Sequence, residues 1–131
     1  MIIGFTMNSI CNGLKRMHTR AKTSLSARKR ILNPSPEGSG SRVYPAQSSP
    51  NDKKIGVRLD RGERVHGKPN VLRLKLQVNK GAEDPTLKKL ADENSHKVWA
   101  TIDVDTTQDP TEENLAKFFG DLEDHVRKGN K

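Results

Sequence analysis

The chain has 131 residues, of which only 31% are hydrophobic, well below the roughly 45–50% of ordinary globular chains, so its core is expected to be small. Twenty-four Lys and Arg against sixteen Asp and Glu give a net charge of +8 and a pI near 9.8, a balance that favours a polyanion through counterion release and leaves RNA, DNA and an anionic membrane surface open. Cys11 is the only cysteine and His18, His66, His96 and His125 share no short ligand spacing; no disulfide, metal site or cofactor is expected.

No apolar run approaches the length of a membrane span, and Met1 to Met7 is too short for a signal-peptide core, so the chain reads as soluble with no membrane partner. Residues 1–36 lack Asp and Glu while carrying Lys15, Arg16, Arg20, Lys22, Arg28, Lys29 and Arg30. Residues 1–30 read as a basic arm or basic edge hairpin; a presequence-like segment and a solvated tail share that composition. Leu32 to Ser41, with Pro34, Pro36, Gly38 and Gly40, is turn chemistry. A short strand is expected at Arg42 to Tyr44, followed by a loop from Pro45 to Asp52.

From Lys54 to Asp60 polar and apolar residues alternate with period two, as they do from Val71 to Val78. These runs predict an antiparallel strand pair joined by a connection over residues 60–70. Asn79 to Ser95 reads as a long connection holding a helical turn or two around Pro85 to Ala91. A third strand follows, with Val98, Ala100, Ile102 and Val104 on one side and Lys97, Trp99, Thr101, Asp103 and Asp105 on the other. Asp109, Pro110 and Glu112 then supply helix-start chemistry. Leu115, Phe118, Phe119, Leu122 and Val126 recur at helical spacing and form one apolar stripe. That stripe should cover the sheet face built from Ile55, Val57, Leu59, Leu72, Leu74, Leu76, Val98, Ala100, Ile102 and Val104. One helix over three strands is a thin domain, which predicts a homodimer that extends the sheet and shares helices.

The opposite sheet face would carry Lys54, Arg58, Arg73, Lys75, Gln77, Trp99 and Thr101. Guanidinium and ammonium groups neutralise phosphates, and an aromatic on a hydrophilic face offers a platform for a splayed base, so single-stranded RNA is the expected partner. A solvated face with Trp99 under a loop is the competing reading. The pairs Asp103/Asp105 and Glu112/Glu113 have ordinary structural roles, no phosphate-binding glycine loop or nucleophile arrangement is evident, and no enzyme activity is expected.

Ile31-Leu32-Asn33-Pro34, the pair 54–60 and 71–78, and the run 98–108 leading into Thr111-Glu112-Glu113 together resemble, across roughly residues 25–126, the coat proteins of single-stranded RNA bacteriophages, the leviviruses. The resemblance implies an α+β fold over residues 31–131: an antiparallel sheet with an N-terminal hairpin and a C-terminal amphipathic helix on one face, as an intertwined dimer. It further implies a capsid protein located in the virion, and in the host cytoplasm during assembly, whose inner face binds genomic RNA and which represses replicase translation through an operator hairpin. It places Trp99 at a base-stacking position. The alternative reading is a small basic ribosomal or other ribonucleoprotein component.

Overall fold

The structure, a computed structural model, describes residues 2–35, 42–46 and 50–129, with side chains from residue 6 onward. In chain order its elements are α1 (Ile2–Lys22), α2 (Leu25–Leu32), β1 (Arg42–Tyr44), α3 (Asp52–Ile55), β2 (Val57–Arg64), β3 (Val71–Val78), α4 (Pro85–Asn94), β4 (Ala100–Asp105) and α5 (Glu112–Arg127). The class is α+β. The strands form one antiparallel sheet in the order β1-β2-β3-β4, and helices cover one face of it.

The N-terminal segment departs from the expected arm or hairpin, because it is a helix. Ile10, Cys11, Leu14, Met17 and Ala21 recur at i, i+1, i+4, i+7 and i+11, and all five are buried. Helical spacing of that kind makes one apolar stripe, and its burial outweighs the solvation of the basic residues on the other face. α1 lies against β2 and α5. Gly13 permits the approach, since a Cβ there would stand 2.9 Å from Val57 Cγ1. α2 follows after Ser24, whose side chain accepts from the Ala27 amide as an N-cap, and it buries Ala27, Ile31 and Leu32 in the same core.

The strand expected to begin at Lys54 begins instead at Val57. Asp52–Ile55 is a helical turn closed by Gly56 at φ +84°, a left-handed conformation that glycine adopts without steric cost. β2 also runs further than its alternation suggests, to Arg64, through a shift in register between Arg61 and Arg64. Gly62 sits inside that bulge, where a Cβ would be 2.8 Å from the Arg73 carbonyl oxygen. The turn or two expected near Pro85 is the ten-residue helix α4, capped by Asp84 accepting from the Thr86 and Leu87 amides.

β4 starts at Ala100 rather than Lys97, and Val98 is 39% exposed instead of facing the core. α5 starts at Glu112, with Thr111 as N-cap in place of Asp109. Leu115, Phe118, Phe119, Leu122 and Val126 are all buried on one face of α5. The Phe118 and Phe119 rings meet edge to face at 5.1 Å. The His18 ring of α1 stacks on Phe119 at 4.9 Å, joining the two long helices over the sheet.

Candidate nucleic-acid interface

The residues expected on the polar sheet face separate into three environments. Arg58 and Gln77 are buried. Arg58 donates through Nε to Asp60 Oδ2 at 2.9 Å, through Nη1 to the Val78 carbonyl and through Nη2 to the Ser95 carbonyl at 3.1 Å. Gln77 donates to the His96 carbonyl. These bonds draw the segment after α4 across the face of β2 and β3, so the guanidinium and the amide are engaged inside the protein. Neither presents a donor to a partner at that place.

Arg73 remains exposed but forms a two-point ion pair with Asp103 on β4, at 2.8 and 3.3 Å, directly opposite it in register. This hydrogen-bonded pairing raises the Arg73 pKa above its ordinary value. Lys75 stands partly exposed opposite Thr101, whose carbonyl oxygen lies 2.7 Å from His125 Nδ1 on α5. A carbonyl can only accept, so the proton is on Nδ1. Trp99 is half-buried, with the Lys97 ammonium 4.1 Å above its ring. Lys54 leaves the sheet face altogether, because α3 carries it towards α1.

That displacement points to a surface that alternation did not reveal. Lys54 joins Lys15, Arg16, Thr19 and Arg20 around a cleft of about 400 Å3 whose lining includes no carboxylate among the described residues. Arg16 is held in place by donating through Nε and Nη2 to the Ile55 carbonyl at 3.3 and 3.2 Å. A larger cleft of about 790 Å3 is lined by Lys29, Arg30, Arg42 and Arg61 together with Leu25, Pro34 and Val43, without a carboxylate among the described residues. Arg42 is anchored by Asp52 at 3.0 Å.

Tyr44, on β1, is buried. Burial pushes its phenol above the ordinary value, while Arg20 from the first cleft and Arg30 from the second both pull it down, so both guanidiniums lie within electrostatic reach of one ring. α1, α2, β1 and α3 thus carry a basic face that holds both clefts. Its α1 cations arise from helical rather than strand periodicity: Lys15, Arg16 and Arg20 lie outside the buried stripe of Ile10, Leu14, Met17 and Ala21. Arg28 is outside this set, since it donates to the Pro110 and Lys22 carbonyls.

Among the described residues no helix is long and apolar enough to cross a membrane, and none of their His, Cys, Asp and Glu side chains form a group able to hold a metal ion. In comparisons with known proteins, no curated protein and no solved structure matches the chain. A family does: the one described as subtelomeric hrmA-associated cluster protein, HrmA, matches residues 7–121. This overturns the resemblance to levivirus coat proteins and, with it, the expected capsid and translational-repressor function and the virion location. Alternating strands that lead into an amphipathic helix are shared by any sheet with one covered face, and the N-terminal hairpin implied by the resemblance is a helix here. With the match spanning α1 to most of α5, the chain belongs to the family of subtelomeric hrmA-associated cluster proteins.

Proposed function

We propose that the chain acts by binding rather than catalysis, and that it holds the phosphate backbone of nucleic acid on the basic face of α1, α2, β1 and α3. One observation carries this reading: two clefts lined by Lys and Arg, with no carboxylate among the described residues of either lining, lie on α1, α2, β1 and α3. The polar sheet face is less suited to the task, because Arg58 and Arg73 are already neutralised by Asp60 and Asp103. Converging cations in concave surfaces focus potential and release counterions when phosphates replace them.

Fluorescence anisotropy with labelled RNA and DNA oligonucleotides over a salt series tests the reading. Affinity should fall steeply with salt, and the Lys15→Glu/Arg20→Glu variant should bind about tenfold or more weakly at low salt. Arg73→Glu, on the sheet face, should change binding far less. Undiminished affinity in the Lys15→Glu/Arg20→Glu protein would show that this face is not the interface.

A further inference from the structure

We infer that the larger of the two clefts accepts unpaired nucleotides, so that the basic face prefers single-stranded over duplex nucleic acid. The inference rests on the proposed backbone binding and adds a substrate class to it. Its basis is the mixed lining of that cleft. Lys29 and Arg30 project from exposed positions on α2, and neither enters an ion pair among the described residues. Arg42 stands with them, oriented by Asp52.

Between these cations the lining combines the polar Ser26, Asn33 and Ser35 with apolar side chains. Leu25, in the first turn of α2, is 49% exposed and is one of two large hydrophobic side chains so exposed among the described residues. It stands beside Pro34 and Val43, which are buried but line the cleft. A duplex keeps its bases stacked inside and offers a protein surface its phosphates and groove edges, so an apolar wall gives it little to gain. An unpaired nucleotide has a free base, which loses water contact when set against Leu25, while its phosphate reaches Lys29 and Arg30. The volume of about 790 Å3 lies within the range of small-molecule pockets and admits such a group. Charge complementarity selects an anion, and the exposed leucine selects one with an apolar face.

The test measures anisotropy of the full chain with a homothymidine oligonucleotide of about 15 nucleotides and with its duplex, comparing the wild type, Leu25→Ser and Lys29→Gln/Arg30→Gln. The wild type should bind the single strand more tightly. Leu25→Ser should weaken single-strand binding about fivefold or more while leaving duplex binding unchanged; the retained duplex binding also reports that the variant is folded. Lys29→Gln/Arg30→Gln should weaken both. Equal wild-type affinity for the two forms, or an unchanged Leu25→Ser protein, overturns the preference and leaves backbone binding standing. Failure of both oligonucleotides to bind overturns the two proposals together. Tighter binding of polyglutamate than of the single strand overturns the assignment in favour of an acidic protein segment.

Discussion

His18 shows how a single ring can carry both packing and charge information. It stacks on Phe119 in the seam between α1 and α5. Burial lowers its pKa below the ordinary 6.5, nearby Lys22 lowers it further, and Glu123 opposes them only in part. The unfolded chain therefore takes up a proton at a pH where the folded chain still resists it. The stability tied to His18 is present above about pH 6.5 and is lost as pH falls through the depressed folded value. The unfolding midpoint of the wild type should drop more between about pH 7.5 and pH 5.5 than that of His18→Phe, which keeps an aromatic ring in the stack and removes the titration. Parallel pH profiles would remove His18 from the acid response. At the same scale, Arg58 shows what alternation leaves out: it places the side chain on the polar face, but the carbonyls that engage it there come from Val78 and Ser95, the latter brought back by α4.

At the level of elements, the strands and the last helix were legible because their periodicities are local. Val71–Val78 and Glu112–Arg127 follow the alternation and the apolar stripe that the residues display. α1 was also written in the sequence, as Ile10, Leu14, Met17 and Ala21, but its acid-free basic composition suggested a solvated arm and drew attention from the spacing. The basic face was hidden for the same reason, together with the turn of α3 that moves Lys54 off the sheet. Its assembly needs contacts among α1, α2, β1 and α3 that no window of sequence contains. A substitution separates a helix in the core from an arm. Leu14 is 1% exposed, so Leu14→Ala should cost about 2–5 kcal/mol in denaturant unfolding; a change within about 0.5 kcal/mol would return the segment to the surface.

For the whole molecule, the second long helix alters the case for self-association. Sequence reasoning called for a partner because one helix, with the stripe Leu115 to Val126, over three strands makes a thin domain with exposed sheet edges. α1 supplies the missing cover from the same chain, and Leu59, Leu72, Leu74 and Leu76 are 0–2% exposed without a second copy. Sedimentation velocity over a wide concentration range should therefore show one species of about 14.6 kDa. A dimer that strengthens with concentration would direct attention to the edge strand β4, where α5 meets the backbone through His125 and Thr101.

The contact between α1 and α5 has a consequence for biosynthesis. The ribosome makes Ile2–Lys22 before the sheet and Glu112–Arg127 after it. At roughly 5–20 residues per second, the apolar stripe of α1 waits on the order of ten seconds for the helix that covers it. During that interval Ile10, Leu14 and Met17 lack their α5 neighbours while Lys15, Arg16 and Arg20 on the same helix remain solvated. Those cations keep the nascent helix dispersed by mutual repulsion, so the charge that serves the finished surface also protects the unfinished chain.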